Sequence, residues 1–312
     1  RKLTVKRSFY FYIYSLPLFG IPFYFLTKLA LLIKSDLLIK LFLESRISKS
    51  GIRYLSSRER HYIANTLKSY NTLSCESKAK DALDVGVQAK VTQLNDKGYC
   101  SLGKMFSDEE CRNFIWSLRN KVCFNSQTAM QSDGIARSFS LGSSSAHNVF
   151  MPEATLSFLP FRHLLKSPEL NAIIDSYLKY DSTIYALSTW FNPEIDSDHY
   201  VHRLHRDSDD FRFLTLIIYW TKVTRTNGAT SLVEGSHRNE VKDLEGNKIF
   251  MEGEKGSAFL ADFNAFHAGN KILKGCRYIT QIRFGKDANY ASVIDGSVHS
   301  PTPEQLENMF RS

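Results

Sequence analysis

The chain contains the stretch Tyr200-Val-His-Arg-Leu-His205-Arg-Asp207-Ser-Asp-Asp210, in which an imidazole and a carboxylate stand two residues apart. In a β-strand, residues i and i+2 point to the same face. The spacing therefore predicts that His205 and Asp207 direct one nitrogen and one oxygen to the same point. A nitrogen and an oxygen placed in this way are suited to holding a metal ion.

A second candidate imidazole lies 62 residues downstream, in Asp262-Phe-Asn-Ala-Phe-His267-Ala-Gly-Asn270, and Arg277 follows it. Two histidines and one carboxylate with open coordination positions form the facial triad of non-haem Fe(II) oxygenases. An arginine beyond the second histidine suits a forked contact with a carboxylate of a cosubstrate. These residues together predict an iron enzyme.

Composition predicts a folded chain. The sequence has 312 residues, of which 43% are hydrophobic and 13% aromatic, enough for a sizeable core and unlike a disordered protein. Its five cysteines include no C-x-x-C pair. The sequence therefore predicts neither a disulfide framework nor a zinc site, and it favours a reducing compartment.

Positive charge is concentrated at the N-terminal end. Residues 1–60 hold twelve Lys and Arg against three acidic residues, whereas the remainder is close to neutral, with 28 basic and 29 acidic residues. A near-neutral catalytic region without a basic stripe argues against nucleic acid as a partner.

Residues 8–27 are an uncharged, aromatic-rich run of twenty residues, long enough to cross a bilayer. Pro17, Gly20 and Pro22 interrupt it, and its many tyrosines favour the membrane interface. In residues 28–43, lysines recur at every sixth position among aliphatic residues, which is typical of a helix lying in the membrane surface.

We therefore predict that residues 1–55 form a basic, hydrophobic helical segment. It binds the cytoplasmic face of a membrane through residues 1–45. A single membrane span is one alternative. A helical face that packs on the catalytic domain or on a partner subunit is another, so a homo-oligomer is left open.

Residues 56–92 are interpreted as a polar helical linker, and residues 93–312 as the catalytic domain. The domain begins with helix signals, including a capping box at Ser107-Asp-Glu-Glu110 and a proline-initiated helix after Ser167. From residue 183 onward, β signals dominate, in the stretches 184–191, 213–220, 257–261 and 278–284. Helices followed by short strands predict an α+β domain built on a jelly-roll barrel.

Over about residues 93–286, the chain resembles the phytanoyl-CoA dioxygenase-like family of Fe(II)/2-oxoglutarate oxygenases. Five elements in the family's order carry the likeness: Gly98-Tyr99, Phe106–Cys111, His205–Asp207, Asn227–His237 and Gly256–Arg277. The sequence departs from the family at Glu234, where proline is usual, but this turn is outside the ligand set.

The resemblance implies a double-stranded β-helix, a cupin-like jelly roll with flanking helices. In it, His205, Asp207 and His267 bind Fe(II), and Arg277 holds the distal carboxylate of 2-oxoglutarate. The cosubstrates are then 2-oxoglutarate and O2, and oxidation of the keto acid to succinate and CO2 accompanies attack on a C–H bond. Halogenating relatives have a small residue in place of this aspartate, so Asp207 favours hydroxylation.

Other candidate residues rest on less specific signals. Asn192 is a candidate contact of the keto acid, because the strand before the iron motif often lines that pocket in relatives; a strand-ending Asn before proline is the alternative. Arg283 is an alternative to Arg277 as the clamp, since strand alternation places both on one face. Candidate contacts of an anionic substrate are Arg137, Arg206 and Arg212.

Together with the N-terminal segment, these features predict a hydroxylase that acts at a membrane surface on a lipid or lipid-linked anionic sugar. The layout is similar to that of the Kdo 3-hydroxylases of bacterial lipopolysaccharide assembly. One alternative is a hydroxylase of a fatty acyl group or small metabolite. The other is a catalytically inactive, membrane-bound jelly-roll binding protein, against which the intact triad and Arg277 argue.

Overall fold

The computed structural model describes most of the predicted catalytic domain. The described residues are 84–119, 121–125, 137–138, 148–150, 152–179, 182–194, 200–207 and 212–285. The predicted membrane segment, residues 1–55, and most of the predicted linker, residues 56–92, lie outside them. Within these ranges, no helix is long and apolar enough to cross a membrane.

Short helices precede and accompany the strands. The helices are α1 (Val85–Lys97), α2 (Asp108–Ser117), α3 (Pro152–Leu156), α4 (Leu159–Leu165) and α5 (Pro168–Leu178). The strands are β1 (Tyr99–Lys104), β2 (Val122–Asn125), β3 (Arg137–Ser138), β4 (Asn148–Phe150), β5 (Thr183–Pro193), β6 (Leu214–Tyr219), β7 (Thr230–Val233), β8 (Lys248–Met251), β9 (Ser257–Ala261), β10 (His267–Gly269) and β11 (Cys276–Gly285).

The strands form two antiparallel sheets. The larger sheet has the order β1-β9-β6-β11-β5-β4-β2-β3, and the smaller has the order β10-β7-β8. Strand β11 lies inside the larger sheet, paired with β5 on one side and β6 on the other. The α+β class with antiparallel sheets, which the sequence predicted, is confirmed.

The two faces of β11 belong to different apolar cores. Tyr278 and Ile282 pack in a buried cluster to which the helices contribute. Ile279, one position away from Tyr278, packs instead with Leu232 of β7 and Met251 of β8. One face of the larger sheet is therefore covered by helices, and the other, the inner face, is turned toward the smaller sheet.

Both predicted helix starts are confirmed. The Ser107 hydroxyl accepts the Glu110 N–H at 3.1 Å, and the Ser107 N–H donates to the Glu110 carboxylate at 2.7 Å, which completes the capping box of α2. Ser167 caps α5 directly ahead of Pro168. These side chains bond backbone N–H groups that have no partner within the helix.

Helix α1 packs on the domain through Val87, Val91 and Leu94, and the predicted domain boundary at residue 92 falls within it. Gly98 ends the helix in the left-handed conformation, with φ of 87°. A Cβ at this position would lie 2.8 Å from His237 Nδ1. A side chain at position 98 would therefore collide with the His237 ring of the Gly-Ser-His turn.

Candidate metal centre

A short antiparallel backbone pairing places His205 beside His267. The His205 N–H donates to the His267 carbonyl and the His267 N–H to the His205 carbonyl, both at 2.9 Å. Two residues further on, the Asp207 N–H donates to the Phe263 carbonyl at 3.0 Å. This extended pairing brings residues that are distant in sequence to one place and directs His205 and Asp207 to the same side.

The three side chains converge. His205 Nε2 lies 3.7 Å from Asp207 Oδ1, and His267 Nε2 lies 3.7 Å from Asp207 Oδ2. When one ligand atom is taken from each of the three residues, these atoms all lie within 4.8 Å of one another. Nitrogen and oxygen ligands bind a metal at about 2.0–2.2 Å, so neighbouring ligand atoms of one ion are roughly 3 Å apart. The two separations of 3.7 Å exceed this spacing by less than about 1 Å, and the limit of 4.8 Å for the whole set exceeds it by less than about 2 Å.

Backbone carbonyls fix the tautomer of both histidines. His205 Nδ1 lies 2.8 Å from the Arg203 carbonyl oxygen, and His267 Nδ1 lies 3.0 Å from that of Ala265. A carbonyl oxygen only accepts, so each Nδ1 carries the proton and donates it. In the neutral ring, each Nε2 then presents its lone pair to the centre, which is the arrangement of a metal-bound histidine.

Burial and charge favour the metal-binding protonation states. Burial lowers the pKa of His267 to about 4, partly opposed by the Asp207 carboxylate. The ring is therefore neutral at pH 7. Burial acts to raise the pKa of Asp207, but the charges of His267, Arg283 and His205 outweigh it, so the pKa lies below its ordinary value. At pH 7, where His267 is neutral, the Arg283 guanidinium still contacts the Asp207 carboxylate, at 3.3 Å.

The donor set fits a divalent iron ion. Two Nε2 lone pairs and a carboxylate face one another, and this convergence is repulsive unless a cation lies between them. The cluster of His205, Asp207 and His267 includes no fourth His, Cys, Asp or Glu in the described part of the chain. Three ligands leave coordination positions open, as non-haem Fe(II) sites require.

Arg283 on β11 contacts the carboxylate of the predicted metal ligand. Its Nη2 lies 3.3 Å from Asp207 Oδ2. The contact fixes the orientation of the carboxylate, since a guanidinium donates in a rigid plane. The sequence left Arg283 and Arg277 as alternative clamps for the cosubstrate, and the structure places Arg283 on Asp207 instead.

Arg277 lies on the same face of β11 and is buried. Its Nη2 and Nε donate to Asn192 Oδ1 at 3.1 and 3.4 Å, and its Nη1 donates to the Gly228 carbonyl. A guanidinium has five N–H groups. These contacts leave one N–H on each terminal nitrogen, the pair that a carboxylate takes in a forked contact.

Gly228 is required for this arrangement. Its φ is 91°, which is accessible mainly to glycine. A Cβ at this position would lie 2.8 Å from Ile272 Cγ1 and 3.3 Å from Arg277 Nη1. The Asn270 amide also donates to the carbonyl of Ala229. The Asn-Gly-Ala turn is therefore held by two hydrogen bonds, one from Asn270 to Ala229 and one from Arg277 to Gly228.

Asn192 is paired with Arg277 in the register of β5 and β11. Its amide oxygen accepts from the guanidinium, so the structure places Asn192 against Arg277, the predicted clamp. Its predicted direct contact with the keto acid stays a prediction.

Two of the three candidate substrate arginines have described side-chain contacts, and these contacts are with other parts of the protein. The Arg206 guanidinium lies 4.0 Å from the Phe266 ring and donates to the Ser236 carbonyl at 3.0 Å. That of Arg212 lies 4.2 Å from the Tyr177 ring and is largely buried. Arg137 belongs to β3, and its side chain is outside the description. Their roles as substrate contacts stay predictions.

Sequence reasoning missed the residues that line the inner face between the two arginines. Ser188 and Trp190 on β5 are partly exposed, as is Gln281 on β11, although they lie within the larger sheet. The register pairs Ser188 with Gln281. The signal was present in the sequence, because alternation places Ser188 and Trp190 on the same face as Asn192.

The chain belongs to the phytanoyl-CoA dioxygenase (PhyH) family, whose sequence model matches residues 94–273, more than half of the chain. The resemblance inferred from the motifs is thereby confirmed. The match begins within α1 and ends ahead of Arg277.

Among characterised proteins, the chain is similar to the dioxygenase peniF of Penicillium patulum, with 35% identity over 89 residues. The similarity covers 22% of this chain and 29% of peniF, so the chain matches less than a third of that relative's length.

Among solved structures, the chain is similar to SnoN, the non-haem α-ketoglutarate-dependent epimerase from nogalamycin biosynthesis. The identity is 13% and the TM-score 0.47, over 66% of this chain and 87% of SnoN. It is also similar to HygX from Streptomyces hygroscopicus, solved with nickel and 2-oxoglutarate, at 12% identity and a TM-score of 0.45, over 65% and 87% of the two chains. The family membership rests on the sequence match and not on these structures.

Proposed function

We propose that the protein is an Fe(II)- and 2-oxoglutarate-dependent hydroxylase with a double-stranded β-helix core. One observation carries this proposal. The Nε2 atoms of His205 and His267 both face the Asp207 carboxylate, and both Nδ1 protons are held by backbone carbonyls. Bound iron would supply the activation of O2 that oxidises an unreactive C–H bond.

The residues of this chain would bind 2-oxoglutarate, orient the carboxylate ligand of the metal and exclude water from the site. Arg277, held by Asn192 and the Gly228 carbonyl, would bind the distal carboxylate of 2-oxoglutarate. Arg283 would keep the Asp207 carboxylate in the orientation that the metal needs. Buried apolar side chains of the inner face, such as Ile217 and Ile279, surround the site with a low-dielectric wall.

The first test is anaerobic absorption spectroscopy of the protein with Fe(II), followed by addition of 2-oxoglutarate. We expect a weak visible charge-transfer band to appear on addition of the keto acid, because the triad leaves positions for two of its oxygens. Glutarate, which has the same carbon chain as the keto acid but lacks the 2-oxo group, is the matched control and should give no band. A protein that binds no iron and gives no band would favour the inactive binding protein.

We further propose that the enzyme works at the cytoplasmic face of a membrane, on a lipid or lipid-linked anionic sugar such as the Kdo of lipopolysaccharide. The support is the sequence. Residues 1–60 carry nine net positive charges, and residues 8–27 are uncharged and rich in aromatic residues. A basic, aromatic segment binds anionic lipid surfaces through charge and apolar contact together.

Replacement of Lys28, Lys34 and Lys40 by glutamate tests the membrane proposal. We expect the wild type to sediment with vesicles containing phosphatidylglycerol and the triple variant to remain in solution, because about 1 kcal/mol of attraction is lost per basic residue. The matched control replaces Lys121, Lys166 and Lys242, which are exposed on the catalytic domain. Equal sedimentation of the two triple variants would contradict membrane binding by residues 1–45 and favour a soluble metabolite as substrate.

A further inference from the structure

A buried carboxylate connects the metal centre to helix α5. Asp262 is only 4% exposed, and both of its carboxylate oxygens are used. Oδ2 accepts from the Tyr177 hydroxyl at 2.6 Å, and Oδ1 accepts from the Asn264 N–H at 2.9 Å. The Arg212 guanidinium lies 4.2 Å from the Tyr177 ring on α5, so a positive charge stands near this buried negative one.

The same aspartate closes and anchors a turn. The Ala265 N–H donates to the Asp262 carbonyl at 3.0 Å, so residues 262–265 form a hydrogen-bonded turn. The Asp262 N–H donates to the Gly98 carbonyl at 2.8 Å, which fixes the start of the turn to the residue that ends α1. Hydrogen bonds of both the backbone and the side chain of Asp262 thus fix the position of the turn.

Residues of this turn make three contacts with the predicted metal ligands. The Phe263 carbonyl accepts the Asp207 N–H at 3.0 Å, and the Ala265 carbonyl lies 3.0 Å from His267 Nδ1. The Phe263 ring stacks on the His267 imidazole, with centroids 3.9 Å apart and an interplanar angle of 8°. The turn therefore sets the tautomer and plane of one ligand and the backbone position of another.

We propose that Tyr177 and Asp262 are positioning residues of the metal centre. They act through the turn at residues 262–265 and not by contact with the metal. Their hydrogen bond holds the Phe263 carbonyl in place to accept the Asp207 N–H. It also holds the Ala265 carbonyl in place to accept from His267 Nδ1. This inference rests on the proposed function of the triad as a metal site. The competing interpretation is that the bond only stabilises the fold.

The test uses Tyr177→Phe, which removes a single hydroxyl group. The matched control is Thr155→Val, because the Thr155 and Thr189 hydroxyls form an equally buried bond of 2.6 Å at α3, away from the turn. Each variant removes one buried side-chain hydroxyl group, so both should lower the thermal unfolding temperature. Outer contacts of metal ligands are worth about 10–100-fold in metal affinity. We expect Tyr177→Phe to weaken Co(II) binding by about tenfold and Thr155→Val to leave it unchanged.

A second variant makes the assignment specific. In Asp262→Ala, the Tyr177 hydroxyl and the Asn264 N–H both lose their acceptor, so we expect a larger loss of Co(II) affinity, toward about 100-fold. If both residues act through one bond, the double variant with Tyr177→Phe should bind no more weakly than Asp262→Ala alone. The absorption bands of bound Co(II) should shift in these variants, because the ligand geometry changes.

The outcomes separate the two proposals. Wild-type Co(II) affinity and spectrum in Tyr177→Phe would overturn the positioning role and leave the metal site in place. Equal weakening in Tyr177→Phe and Thr155→Val would also overturn it, since a loss shared with the control reflects general stability. A wild type that binds no Co(II) would overturn the proposed metal site itself, and the positioning role with it.

Discussion

Replacement of Asp207 by alanine is expected to abolish the spectroscopic signature of iron with 2-oxoglutarate and to weaken metal binding by at least about 100-fold. Removal of an outer contact alone costs about 10–100-fold in affinity, and Asp207 is the only anionic member of the predicted ligand set. The substitution also leaves the positive charge of Arg283, 3.3 Å from the carboxylate in the wild type, beside an incoming cation. Titration with Co(II) and anaerobic Fe(II) spectroscopy measure the two effects.

Asp108→Ala is the matched control for this substitution. The Asp108 carboxylate contacts two cationic side chains, Lys104 at 2.7 Å and Lys255 at 2.6 Å, but it lies at the start of α2 outside the triad. The Asp108→Ala substitution should leave metal binding at the wild-type level. Wild-type metal affinity in Asp207→Ala would mean that the protein holds its metal elsewhere.

The effect of the Arg283 charge on metal affinity can be separated from the effect of losing the Asp207 carboxylate. The double variant Asp207→Ala with Arg283→Met also removes the guanidinium that contacts position 207 in the wild type. Part of the lost Co(II) affinity should return if repulsion by Arg283 contributes to the defect. No recovery would assign the whole effect to the missing carboxylate.

The triad was accessible from sequence because one part of its geometry is local. Residues two apart on an extended segment face the same side, so His205 and Asp207 were expected together from their spacing alone. The approach of His267 was expected from the resemblance, since a backbone pairing across 62 residues has no local signal. The metal-ligand roles of the three residues themselves await the measurements above.

The contact of Arg283 with Asp207 was not predicted from the sequence, whereas the resemblance implied Arg277 as the contact of 2-oxoglutarate, which stays a prediction. Alternation predicts one face for Arg277 and Arg283, and the choice between them depends on what the other strands bring to each end of β11. Asn192 and the Gly228 carbonyl meet Arg277, whereas Asp207 meets Arg283. These partners are set by register and by turns, which emerge only when the sheets assemble.

The smaller sheet and the short helices were also missed, for physical reasons. All four residues of β7 are buried, so the strand shows no alternation of polar and apolar residues. Helices α3 and α4 have five and seven residues, too few to display a helical period. The longer strands β5, β6 and β11 were predicted because they are rich in β-branched and aromatic residues, and β9 because it is a short, mostly apolar run.

Arg277→Lys is expected to weaken 2-oxoglutarate binding by about 10–100-fold and to leave the Co(II) affinity unchanged, because loss of a charge-assisted hydrogen bond costs about 1.5–3 kcal/mol. Lysine keeps the charge but has no planar fork to share between Asn192 and a carboxylate. The dissociation constant of the keto acid follows from the intensity of the charge-transfer band at saturating Fe(II). Arg225→Lys is the control, since Arg225 is exposed and pairs with Glu252 at 3.7 Å.

Arg283→Lys should give the opposite pattern, because Arg283 contacts Asp207 and Arg277 does not meet a predicted metal ligand in the described structure. We expect weaker Co(II) binding in Arg283→Lys and, once the metal is saturating, a nearly normal affinity for 2-oxoglutarate. The two substitutions change the same residue type on the same face of β11, so a general loss of stability cannot produce opposite effects. A defect in keto acid binding in Arg283→Lys with none in Arg277→Lys would exchange the two assignments and make Arg283 the clamp.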